Sequence, residues 1–148
     1  MKTLITGHRL HKLLSYDIEW IKLAIGEALD STFLDYTTYG LSGMASGVDL
    51  WFCKELKERV IPYAACIPFE GQEETMDEES ATWRRILIKR AAEVLSIRNS
   101  AMVEKADAAL VVWDGNKGGT HNVFQQLVEH NKPFVWINPV GKKIFEIR

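Results

Sequence analysis

Residues Ala108-Ala109-Leu110-Val111-Val112-Trp113 constrain the fold more than any other feature of the chain. A strand with one wet face alternates apolar and polar residues, whereas an unbroken apolar run needs cover on both faces. That is the habit of a parallel sheet with a helix layer on each side. The rest of the chain fits such a sheet. Thr3–Thr6, Thr37–Leu41, Tyr63–Pro68 and Phe134–Asn138 read as four more strands. Between them lie amphipathic helices at Ser15–Ser31, Ser46–Arg59 and Thr120–His130, the last ended by Asn131-Lys132-Pro133.

Strands alternating with helices predict an α/β fold. The expectation is a Rossmann-like, three-layer architecture, with an open, mostly parallel five-stranded sheet and helices on both faces. The middle is less punctuated, with no glycine between Gly71 and Gly115 and no proline between Pro68 and Pro133. Trp83, Leu87, Ala91, Val94, Ala101 and Met102 keep a helical rhythm, so Glu79–Lys105 reads as one long or kinked helix. A short strand at Glu93–Ile97 is the competing reading. The charged tail after Pro139 reads as a surface segment. Without repeats or linkers, residues 1–148 read as one domain.

Composition excludes several classes of function. The net charge is −2, so no global basic field draws in nucleic acid. Cys53 and Cys66 lack metal or CxxC spacing and are expected as reduced, buried thiols. His8, His11, His121 and His130 lack metal-ligand spacing, and no GxSxG or HExxH motif occurs. The apolar start is too short for a signal peptide, and no run approaches the ~18 residues of a membrane span. A cytoplasmic protein is expected.

Seven of the ten glycines (Gly7, Gly43, Gly47, Gly71, Gly115, Gly118 and Gly119) follow the carboxyl ends of four predicted strands. Right-handed crossovers put those turns on one rim, where open α/β sheets bind ligands. Asp114-Gly115-Asn116-Lys117-Gly118-Gly119-Thr120 leads into a helix N-terminus, whose free N–H groups suit phosphate. Lys117 adds charge, and Thr120 either caps the helix or meets the ligand.

Thr6-Gly7-His8-Arg9 offers a guanidinium for bidentate phosphate contact. Ser42-Gly43-Met44-Ala45-Ser46-Gly47-Val48-Asp49 offers a second anion-binding turn. Asp49 reads either as an N-terminal stabiliser or as a ribose or base contact. Glu70, in Pro68-Phe69-Glu70-Gly71-Gln72, is the rim carboxylate nominated as a general base or ribose ligand. Arg98 and Asn99 fall inside the predicted long helix, where asparagine is a poor helix former. Trp51, Trp83, Trp113 and Trp136 read as core.

Together, ITGHR, LSGMASGVDLW, IPFEGQE, RNSAMVEKAD and VVWDGNKGGTHNV resemble the SLOG superfamily, and within it the YpsA-like branch of small bacterial and phage proteins. The resemblance covers most of the chain in order. It implies a Rossmann-like fold, a nucleotide or nucleotide-sugar ligand and a homodimer. SGMASGVD is similar to the segment that DprA proteins use near single-stranded DNA. The Gly-Gly-Thr turn is similar to the glycine-rich motif of LOG phosphoribohydrolases, which need a glutamate soon after it. Here His121, Asn122, Val123, Phe124, Gln125 and Gln126 follow Thr120, and that glutamate is missing. The stretch before Arg98-Asn99 is also shorter than in relatives.

The leading expectation is therefore a module that binds or senses a nucleotide-type ligand. The alternatives are an N-glycosidic hydrolase or transferase acting through Glu70, and a single-stranded DNA-binding helper.

Overall fold

The computed structural model describes residues 1–148. Its elements run β1 (Lys2–Gly7), α1 (Leu10–Leu13), α2 (Ile18–Ser31), β2 (Tyr39–Ser42), α3 (Val48–Glu58), β3 (Tyr63–Cys66) and α4 (Glu78–Arg90). They continue as β4 (Glu93–Leu95), α5 (Asn99–Lys105), β5 (Ala108–Val112), α6 (Gly119–Glu129), β6 (Phe134–Asn138) and β7 (Lys143–Ile147). The sheet order is β4-β3-β2-β1-β5-β6-β7, parallel except for β7. The fold is the Rossmann-like α/β class, with seven strands rather than five.

β5 lies inside the sheet, between β1 and β6, and is buried along its whole length. Leu110 and Val112 pack towards α2, α3 and α4, while Ala109 and Val111 pack towards α5 and α6. Each buried leucine or valine here contributes on the order of 1.5–3 kcal/mol, which is why no polar residue interrupts the run. Trp113, read as core, is buried, and Trp136 packs partly buried against the same cluster. Cys53 and Cys66 are buried free thiols. No helix is long and apolar enough to cross a membrane.

Two regions depart from the sequence reading. The long helix over Glu79–Lys105 does not form, and the competing strand does, as β4. Asp77 caps α4, its carboxylate accepting the Ser80 N–H at 3.0 Å. At the far end Ala91 turns extended (ψ 145°), and the Ala92 N–H donates to the Tyr63 carbonyl at 2.8 Å. The edge of β3 thus captures a backbone that local propensity would have kept helical. The charged tail forms β7, antiparallel to β6, after a turn in which Gly141 and Lys142 both have positive φ. Ile144, Phe145 and Ile147 favour a strand, but the side chains are mostly exposed and the flanking charges read as a surface tail.

α3 ends in a Schellman turn. The Ile61 N–H donates to the Leu56 carbonyl at 2.9 Å, and Val60 takes φ +57° with 89% of its surface exposed. α6 ends the same way, but with Asn131 at φ +53°. Asparagine tolerates the left-handed conformation, whereas a β-branched residue is strained there. Val60→Gly is expected to stabilise the fold by about 1 kcal/mol, strain relief exceeding the entropy cost of glycine. Urea denaturation measures it; a destabilised Val60→Gly would show that the turn carries no such strain.

Candidate functional site

The order of the sheet reverses between β1 and β5, the place where ligands sit in open parallel sheets. The loops that follow β1 and β5 are bound together there. His8, buried, holds its Nε2 3.0 Å from Asp114 Oδ1, and the Tyr16 hydroxyl donates to Asp114 Oδ2 at 3.0 Å. Burial acts to raise the Asp114 carboxyl, but hydrogen bonds from the Asn116 amide, His8 and Tyr16 outweigh it and hold its pKa at about 2. His8 and Asp114 therefore act as an internal staple of the rim.

Beside the staple, a cleft of about 420 Å³ opens over the carboxyl ends of β1, β2, β3 and β4. Its lining includes Arg9, Gly43, Asp49, Phe69, Arg98 and Asn99. The volume lies within the ~300–1,000 Å³ of small-molecule sites. Arg98 and Asn99 reach it only because β4 exists: they fall at the start of α5, not inside a helix. Arg9 and Arg98 are both exposed and form no salt bridge within the chain. Phe69 (43% exposed) offers an aromatic surface at the mouth.

Asp49 is the only carboxylate in the lining. Its Oδ2 accepts the Ala45 N–H at 3.1 Å. Burial pushes its pKa up to about 7, against the Ala45 hydrogen bond and the charge of Arg9. A Cβ on Gly43 would stand 3.2 Å from this carboxylate, so glycine keeps that wall open.

The loop after β2 is held from several sides. Ser42 Oγ accepts the Met44 N–H at 3.2 Å and donates to the Asp49 carbonyl at 3.1 Å. The Gly43 carbonyl accepts from Gln72 Nε2 at 2.8 Å, and Arg84 donates to Gln72 Oε1 from Nε at 3.3 Å and from Nη2 at 3.1 Å. Gln72 and Arg84 are both buried. This clamp had no sequence signal, because Arg84 lies on a helix face and Gln72 in a polar loop.

The remaining sequence candidates are distributed around this cleft. Met44, at φ +58°, turns its side chain into the core against Cys53 and cannot line the site. Ser46 Oγ accepts the Leu10 N–H at 3.3 Å, and Gly47 packs on the backbone of the β1 loop. Thr6 and Thr120 are buried; Gly7 ends β1. Gly115, Lys117, Gly118 and Gly119 are exposed on the neighbouring turn, outside the cleft lining. There Gly118 caps α6 with no side-chain hydrogen bond, which leaves first-turn amides free. Glu70 is exposed and does not line the cleft, although Phe69 beside it does.

Fold and cleft define a Rossmann-like α/β protein with an open cleft on the carboxyl rim of its sheet. No family model matches the chain. It is 27% identical to a UPF0398 protein of Bacillus cereus, a match covering 70% of this chain and 66% of that protein. The match thus takes in just under two thirds of that relative's length. Among solved structures it is similar to the X-ray structure of TM1055, a structural genomics target, with a TM-score of 0.57 at 14% identity. That likeness covers 90% of this chain and 71% of the other, and it shows the fold. The structural likeness agrees with the Rossmann-like fold expected from the sequence.

Proposed function

We propose that the rim cleft binds a nucleotide or nucleotide sugar, in a protein of the YpsA-like branch of the SLOG superfamily. One observation carries the reading: two unpaired arginines, from the loops after β1 and β4, face a single cleft with an exposed phenylalanine at its mouth. Arg9 and Arg98 hold the phosphate as charge-assisted donors. Phe69 takes a face of the base. The Gly118–Thr120 amides, joined to the β1 loop through His8 and Asp114, offer a place for a second phosphate.

Thermal shift against a panel of nucleoside phosphates and nucleotide sugars tests this. A ligand at ~100 times its Kd should add about 2.7 kcal/mol of stability. Arg9→Ala and Arg98→Ala should each weaken binding roughly 10- to 100-fold. No stabilisation by any phosphate ligand, or variants that bind like wild type, would remove the proposal. Retained binding of a single-stranded oligonucleotide in place of mononucleotides would favour the DprA-like alternative.

N-glycosidic hydrolysis gains support from one feature, the Asp49 carboxyl, poised near neutral pH inside the cleft. On that reading Asp49, rather than the exposed Glu70, is the acid. Release of free base from nucleoside monophosphates would be lost in Asp49→Asn and kept in Glu70→Gln.

A further inference from the structure

Trp51 and Trp83 are expected in the core from sequence, yet both are only partly buried. They line a second cavity, of about 180 Å³, between α2, α3 and α4. It shares no lining residue with the rim cleft. Each tryptophan carries a lysine: Lys22 Nζ stands 5.1 Å from the Trp51 ring centre, and Lys54 Nζ 3.8 Å from that of Trp83.

Beyond these rings, the two ammonium groups have little compensation from carboxylates. Lys54 makes no salt bridge, and Lys22 reaches only Glu19 on its own helix, at 3.8 Å. An exposed pair of that kind is worth little. Burial and the charge of Lys22 both push the Lys54 pKa down, with Glu79 opposing. An anion placed at the two lysines would relieve their repulsion.

Two carboxylates share the cavity. Asp77 is already occupied in capping α4 through the Ser80 N–H, whereas Glu79 makes no hydrogen bond or salt bridge. Two lysines face two lining carboxylates, so the walls carry no surplus positive charge and a ligand with more than one anionic group would be repelled. The volume falls below the ~300 Å³ lower bound of drug-sized sites, which limits the ring count to one.

We infer that this groove binds a small aromatic monocarboxylate, its ring against Trp51 and Trp83 and its carboxylate at Lys22 and Lys54. The inference is independent of the rim cleft. Benzoate is the probe, with benzyl alcohol (ring without charge) and acetate (charge without ring) as controls. Titration is followed through the indole N–H signals of the five tryptophans in ¹⁵N-labelled protein.

The signals of Trp51 and Trp83 should shift saturably with benzoate, with a Kd on the order of 1 mM. Both controls should bind at least roughly tenfold more weakly, as each lacks one of the two contacts. Lys54→Met should weaken benzoate by about tenfold, Lys54→Arg should retain it, and Arg9→Ala should leave it unchanged. The inference is overturned if wild-type Trp51 and Trp83 show no saturable shift, or if benzyl alcohol binds as tightly as benzoate. An unaltered Lys54→Met titration would overturn it as well.

Discussion

Gly47→Ala is expected to destabilise the protein by about 2–5 kcal/mol, lowering the melting temperature by roughly 5–15 °C. Gly47 caps α3 at φ +86°, ψ −127°, a backbone region that side chains rarely enter. A Cβ there would stand 2.9 Å from the Leu10 nitrogen and 3.1 Å from the His8 carbonyl oxygen. Both neighbours are backbone, so no rotamer change relieves the clash. Only separation of the β1 and β2 loops does, and Arg9 lies between His8 and Leu10 in the displaced segment. Gly119→Ala is the matched control: its Cβ would meet nothing within 4 Å, and alanine favours the helix that starts there. Thermal melts of both variants decide the matter; equal stability for Gly47→Ala and wild type would refute the packing argument.

Asp49→Asn is expected to change the pH dependence of stability. Because the folded pKa of Asp49 is raised to about 7, the folded state keeps a proton that the unfolded chain releases near pH 4. Between those limits the native state binds more protons, so the contribution of this group to stability falls as pH rises, and it is lowest above pH 7. Asparagine preserves an acceptor for the Ala45 N–H and cannot ionise. The stability of Asp49→Asn relative to wild type should therefore rise by roughly 2–3 kcal/mol between pH 5 and pH 8. Urea melts of both proteins at the two pH values measure it, and parallel curves would show that Asp49 ionises normally. If the cleft takes phosphate, the same proton matters there: a neutral carboxyl donates to an anion, and an ionised one repels it.

The class of fold was readable because its signals are local. An unbroken apolar run at Ala108–Trp113 demands cover on both faces, and the helices between strands announce their buried stripes through period. β4 emerged only as a competing reading and β7 not at all, for a common reason. β4 is three residues long, with Val94 exposed, and it is fixed by pairing with β3 rather than by its own side chains. β7 is a mostly exposed edge held by pairing with β6.

The same distinction runs through the site. Arg9, Gly43 and Asp49 follow well-marked strands and were nominated with their neighbours. Arg98 and Asn99 drew notice as awkward helix residues and through the RNSAMVEKAD resemblance, but not as rim residues, since their place on the rim depends on the strand that long-range pairing creates. Glycine clustering located the rim as a whole. It carried no information on which turn faces the cleft and which, like Met44, turns inward.

The Arg98 wall has a dynamic consequence. It is suspended from a peripheral strand joined to its neighbour along three residues, whereas the Arg9 wall grows from β1, in the interior of the sheet. Sheet margins are the first regions to open in sub-global fluctuations. One jaw of the cleft is thus anchored and the other rests on an edge strand, so the Arg98 side is expected to open more readily than the Arg9 side while the hydrophobic interior stays closed.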